Sequence, residues 1–174
     1  YKDLENKNDL SSKITVYIKN EDVVKEFDLE EYLVYVILAE MPASYEMEAL
    51  KAQAVAARTY IVNKMVNGNY PDEHKGAAVC TDYAHCKAYI SEDEAKKRFG
   101  DNFNIYFSKI KEAVEATKDE ILVYNNEPIL AVFHAQSHGK TENASDVWGG
   151  DYPYLVSVES PGDNHISYAT YTFE

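Results

Sequence analysis

Ala39-Glu40-Met41-Pro42-Ala43-Ser44, followed at once by the run Met47 to Met65, decides how this chain is read. Pro42 has no backbone N–H and disfavours helical geometry at Met41, so one helix must stop at Glu40. Ser44 is placed to cap the next helix, with Glu46 and Glu48 near its positive end. Glu40 therefore stands at an elbow between two helices, where a carboxylate can point into a cleft. The alternative is an ordinary acid at a helix–helix turn.

Working outward, Ile14, Val16 and Ile18 alternate with polar neighbours, Asn20-Glu21-Asp22 turns the chain, and Val23-Val24 with Phe27 return, which predicts a hairpin. Asp28 with Glu31 forms a capping-box-like start for a helix over 29–39 that carries Leu29, Leu33, Val36 and Ile37 inward. The helix over 46–66 buries Met47, Leu50, Ala54, Ala57, Ile61 and Met65, its alanines allow a close neighbour, and Asn67-Gly68 ends it. Residues 68–90 read as a loop-rich insert. Ser91 with Glu94 starts a short helix stopped at Gly100, and a further helix around 104–117 presents Phe107, Ile110 and Val114. Ile121–Tyr124 and Ile129–Phe133 form a second hairpin across Asn125-Asn126-Glu127-Pro128. Residues 137–151 make a long connection into Tyr154–Val158. The sum is α+β: one domain over 1–174 with a polar leader at 1–12, helices packed on antiparallel strand pairs, and a Cys/His loop insert at about 68–90.

Composition narrows the function. A hydrophobic fraction of 45% fits a folded chain, and 174 residues suffice for one sizeable core. The net charge of −13 speaks against nucleic-acid binding, which needs clustered Lys and Arg. An anionic polymer would have to meet a local basic patch. No phosphate loop, dinucleotide fingerprint or nucleophile elbow occurs. Fifteen tyrosines supply amphipathic rings, for a sugar groove or, more commonly, for a core. The sequence carries no initiating Met, signal peptide or membrane-length apolar run, so Tyr1 reads as the start of an excised extracytoplasmic fragment. The alternating run 167–173 stops as though within a strand, and the native chain is expected to continue.

Glu40 is the candidate acid. Cleaving a glycosidic bond requires a proton on the leaving oxygen, and a carboxyl group partly withdrawn from water holds its proton toward neutral pH. Glu46, Glu48, Glu142, Asp146 and Asp163 are candidates for a second carboxylate, so hydrolysis stays open. Lys51 and Arg58, seven positions apart, share one helical face. They read as cations presented toward the cleft below Glu40, to bind a glycan or stabilise charge, or as a solvated pair. Ser137, Lys140 and Glu142 lie on a glycine-containing connection, where they can bind a sugar or simply make turns. Trp148 and Tyr154 can stack on sugar rings, although core burial is the commoner fate of both. His74, Cys80, His85 and Cys86 crowd into a short loop and suit tetrahedral zinc. Four protein ligands leave no open position, so the metal would be structural. The spacing is not that of a zinc finger, and adjacent ligands at 85 and 86 strain it; the alternative is a Cys80–Cys86 disulfide.

Three ordered blocks carry a family resemblance: Ala39–Ser44 with Glu48–Tyr60, Cys80–Cys86 with Tyr89, and Ser137–Glu142 with Val147–Gly150 and Pro153–Leu155. They bracket residues 39–163, and the chain resembles the stage II sporulation protein D family, whose domain is shared with amidase-enhancer proteins. The resemblance implies a peptidoglycan lytic transglycosylase that remodels septal wall during engulfment and sporulation, acting on denuded glycan. It implies Glu40 as acid and then base, Lys51 and Arg58 as basic active-site residues, and paired cysteines at 80 and 86. It also implies two partners, a sporulation amidase (stage II sporulation protein P) and a membrane protein (stage II sporulation protein M). The implied location is the septal space between mother cell and forespore, with an N-terminal transmembrane anchor outside this fragment. A non-catalytic, wall-binding amidase enhancer is the alternative function. The sequence departs from the family at Lys87, where Gln is more typical, and at His138, which receives no catalytic role.

Overall fold

The computed structural model describes residues 13–68, 70–137 and 139–161. The leader 1–12, His138, Asp163, His165 and the run 167–173 lie outside the described residues. Contacts group the chain into two compact units divided between Val132 and Phe133.

The first unit is mixed α+β. Strands β1 (Lys13–Ile18) and β2 (Val23–Asp28) form the expected antiparallel hairpin, with Ile18 opposite Val23. Ile14, Val16 and Ile18 are buried, as their alternation requires. Strand β3 (Val79–Cys80) adds to the other edge of β1 in parallel, giving the order β2-β1-β3. Sequence alone places these residues in a loop, because two residues are too few to show a period.

Helix α1 (Leu29–Glu40) starts where the Asp28 carboxylate accepts the N–H groups of Glu30 and Glu31 at 3.0 and 3.1 Å. Such a cap contributes about 1 kcal/mol. Met41 N–H closes the last turn on Ile37 at 2.9 Å, and Met41 itself is extended ahead of Pro42. Helix α2 (Met47–Asn67) ends at Gly68, whose φ of 61° is the left-handed cap conformation. Ser44 does not cap α2. Tyr45 N–H bonds the Pro42 carbonyl at 3.0 Å, which draws Ser44 into a turn and leaves Glu46 at the cap position without a side-chain bond.

Helix α3 (Glu92–Phe99) begins with a reciprocal Ser91/Glu94 capping box, and α4 (Phe103–Ala116) follows after a single 3-10 turn. Helices α1, α2 and α4 pack on one another around Leu33, Ile37, Leu50, Ile61, Ile110 and Val114. Truncating one of these large core residues to Ala costs about 2–5 kcal/mol. The small buried residues Ala54, Ala57 and Ala113 suit close helix approach. Strands β4 (Val123–Tyr124) and β5 (Glu127–Pro128) make a tighter hairpin than expected. Asn125 and Asn126 both have positive φ, 50° and 66°, and form the whole two-residue turn. Glu127 and Pro128 therefore lie in the strand, while Ile129 and Leu130 pack against the core.

In the second unit, α5 (Ala144–Trp148) occupies part of the expected connection and stops at Gly149, φ 75°. Tyr154–Val158 is not a regular strand. A Lys140–Glu159 bridge is flanked by bonds from Thr141 to Val158 and from Ser160 to Gly139. Among the described residues no helix is long and apolar enough to cross a membrane.

Candidate active site and metal centre

Glu40 closes α1 half-buried at the elbow, and one carboxylate oxygen accepts the Ala88 N–H at 2.8 Å. The elbow is anchored from α4, where the Lys109 ammonium donates to the carbonyls of Ala43 and Tyr45. The loop that brings Ala88 is anchored on both sides. Lys87 Nζ lies 4.4 Å from the centre of the Tyr60 ring, and Tyr89 stacks on the buried Tyr32 with centroids 5.2 Å apart. Burial holds the Lys87 ammonium below the ordinary lysine value, against the opposing pull of Glu40.

Glu40 opens onto a cleft of about 350 Å³ whose wall includes Met41, Pro42, Arg98, Phe99 and Tyr106. Among the described lining residues Glu40 is the one carboxylate. Glu46 and Glu48 are exposed outside that lining, and Glu48 pairs with Lys51 at 2.7 Å. Arg98, Phe99 and Tyr106 escaped the sequence reading, since nothing local ties α3 and α4 to an elbow more than fifty residues earlier.

The four Cys/His residues converge. One ligand atom from each of His74, Cys80, His85 and Cys86 lies within 4.8 Å of the others, and both cysteines are free thiols. Around a tetrahedral zinc, adjacent sulfur and nitrogen donors stand about 3.6 Å apart. Here Cys80 Sγ–His85 Nδ1 is 3.6 Å, Cys86 Sγ–His74 Nε2 is 3.5 Å and Cys86 Sγ–His85 Nδ1 is 3.8 Å. The two ring nitrogens are closer, at 2.8 Å. His74 Nδ1 donates to the Ala77 carbonyl at 3.2 Å, in the tautomer that leaves Nε2 as a lone-pair donor. Burial and the His85 ring hold His74 below the ordinary histidine value, favouring the neutral, ligating form. Burial pushes the Cys80 thiol up to about 11, so a cation must displace its proton. The donor set thus fits a metal ion. Adjacent ligands at 85 and 86 are reconciled by a tight turn in which both backbone N–H groups bond the Asp82 carbonyl.

Arg58 contradicts its expected role. It is 1% exposed, and its guanidinium grips Glu30 through two bonds of 2.8 and 2.6 Å. It also donates to the carbonyls of Val114 and Glu120 at 3.1 and 3.2 Å. These acceptors lie at and beyond the C-terminal end of α4, where unpaired carbonyls favour a cation. Arg58 therefore joins α1, α2 and the end of α4 and is covered from ligands. Lys51, on the same side of α2 near its start, stays half-buried beside Glu48 and does not line the cleft.

Ser137, Lys140, Glu142 and Tyr154 belong to the second unit. Lys140 and Glu142 are exposed, Ser137 and Tyr154 half-buried, and Tyr154 packs at a tilt on Tyr152 with centroids 6.0 Å apart. Trp148 is 60% exposed, so core burial does not apply to it.

Residues 17–124 match the family described as SpoIID, stage II sporulation protein. The chain belongs to this family. Over 150 residues it is 45% identical to stage II sporulation protein D of Bacillus subtilis (strain 168), covering 86% of this chain and 43% of that protein. Identity to stage II sporulation protein D of Bacillus amyloliquefaciens is 42% over the same coverage. The amidase enhancer of Bacillus subtilis (strain 168) is 33% identical over 133 residues, 76% of this chain and 16% of that protein. The chain thus spans less than half the length of these relatives. The span matching the stage II sporulation family contains Glu40, its cleft and all four Cys/His residues.

Proposed function

We propose that this chain is the catalytic part of a peptidoglycan lytic transglycosylase that cleaves the MurNAc–GlcNAc bond of denuded strands. The observation that carries this reading is that Glu40 is the one carboxylate among the described residues lining the cleft. Glu40, as the acid, protonates the leaving glycosidic oxygen while the C1–O bond breaks. The resulting carboxylate then takes the proton of the muramic C6 hydroxyl as O6 bonds to C1, closing a 1,6-anhydro ring. One group serves both steps because the nucleophile belongs to the substrate and is already in place. The Ala88 N–H, donating to the carboxylate, orients it. Lys51 in the first unit, and Ser137, Lys140, Glu142 and Tyr154 in the second, are assigned to contacts along the glycan.

His74, Cys80, His85 and Cys86 are assigned to a structural zinc, which when bound ties together a loop that has little core of its own. Its four protein ligands leave no position for a catalytic water. The place of action is the septal wall outside the membrane during engulfment, with an anchoring helix preceding this fragment. The sporulation amidase and the membrane protein of the same machinery are the proposed partners. The identity to the amidase enhancer favours a second reading, a non-catalytic wall-binding module that stimulates an amidase.

The test is mass spectrometry of products from purified denuded strands incubated with this chain alone. Products ending in 1,6-anhydro-MurNAc support the proposal, and only reducing ends indicate a hydrolase. No cleavage, with stimulation of an added amidase, establishes the second reading.

A further inference from the structure

We infer that Arg98 reads the free lactyl carboxylate of a muramic acid residue, and so selects strands already stripped of stem peptide. This rests on the glycan-cleaving reading of the Glu40 cleft. The chain has two arginines, and their surroundings differ. Arg58 is covered and saturated by acceptors. Arg98 is exposed, lines the cleft beside Glu40, and has no carboxylate partner among the described residues. It forms no ion pair with Glu40 itself. Its guanidinium carbon lies 5.3 Å from the centre of the Phe99 ring, and Phe99 meets Tyr106 edge-on at 5.5 Å. The cation is thus laid over an aromatic wall, with its fork of donors available to a ligand.

In a protein of net charge −13, a cation left without a carboxylate at the one cleft that holds the candidate acid is a specific feature. A guanidinium fork matches a carboxylate through two parallel bonds. On a denuded strand the lactyl ether of each muramic acid ends in such a carboxylate. On a peptide-bearing strand the same carbon is a neutral amide, which offers one acceptor and adds the bulk of the stem. Lys96 on the same helix is occupied by Glu92 at 2.6 Å, so it does not offer the same recognition. Arg98 is in this scheme a specificity-determining residue, separate from the proton transfers of Glu40.

The experiment measures binding and turnover separately, with two probes: denuded glycan strands, and the same strands with their lactyl carboxylates converted to methylamides. Binding is measured by calorimetry in the Glu40→Gln background. Denuded strands are expected to bind about 10- to 100-fold more tightly than methylamidated ones, the worth of a charged, bidentate hydrogen bond. Arg98→Leu should remove that preference by weakening only the denuded arm, and Arg98→Lys should restore it in part. The exposed position predicts an unchanged melting temperature. An equal preference in Arg98→Leu, or none in the parent, overturns the assignment. Absence of cleavage on every strand by the otherwise unmodified chain, with the Arg98-dependent preference intact, overturns the transglycosylase reading and leaves Arg98 as the carboxylate reader.

Discussion

Replacing Arg58 with Ala is expected to damage the fold, not glycan recognition. The guanidinium is buried against Glu30, and breaking one partner of a buried, hydrogen-bonded pair costs about 3–5 kcal/mol. The Glu30 side chain keeps 24% of its exposure, so water recovers part of its solvation and points to the lower half of that range. The Glu120 carbonyl loses the Arg58 donor at the same time, while the Val114 carbonyl keeps its bonds from Thr117. A loss of about 3–4 kcal/mol corresponds to roughly 10 °C in melting temperature for a chain of this size. Urea denaturation followed by far-ultraviolet circular dichroism reads the free energy directly. Arg58→Lys should recover only a fraction, because one ammonium cannot span acceptors on three segments. Within the surviving folded population, affinity for glycan should match the parent. A variant that melts within about 2 °C of the parent and loses glycan binding would refute this reasoning and return Arg58 to the substrate side.

Glu40→Gln should fold and bind normally while cleavage of denuded glycan falls by about 10²–10⁴-fold, measured by release of soluble fragments. Cys86→Ser should abolish stoichiometric zinc in elemental analysis and lower the melting temperature; zinc-free parent protein with a mass two hydrogens below the dithiol would establish the disulfide instead. Gln53 Nε2 is buried with no hydrogen-bond partner among the described residues. Gln53→Leu should therefore be neutral or stabilise by about 1 kcal/mol in urea denaturation, relieving an uncompensated desolvation; a clear loss of stability would mean that the amide is satisfied in solution.

The features legible in the sequence were those encoded within a few residues. Asp28 and Ser91 cap their helices because capping needs only the next turn, and the Pro42 elbow puts Glu40 at a helix end for the same reason. The Cys/His set was visible because its members share one loop. Arg58 was misread because a shared helical face with Lys51 fixes direction around α2 but not what covers it. Its acceptors come from Glu30, Val114 and Glu120, and only tertiary packing brings them together. Ser44 lost its cap role to a turn bond from Tyr45 that no propensity signals. The cleft wall of Arg98, Phe99 and Tyr106 had no better marker than an arginine beside a phenylalanine at a short helix's end.

The hydrogen bond from Ala88 to Glu40 also has a spectroscopic consequence. An amide proton donated to a carboxylate forms a shorter, more polarised bond than one donated to a neutral acid. The Ala88 resonance is therefore a built-in reporter of the charge on Glu40. Isotope labelling of alanine, with the Ala88 signal assigned by its absence from an Ala88→Gly variant, would let nuclear magnetic resonance follow that amide as the pH is varied and as metal or glycan is added. The protonation state of Glu40 then becomes observable without substituting it.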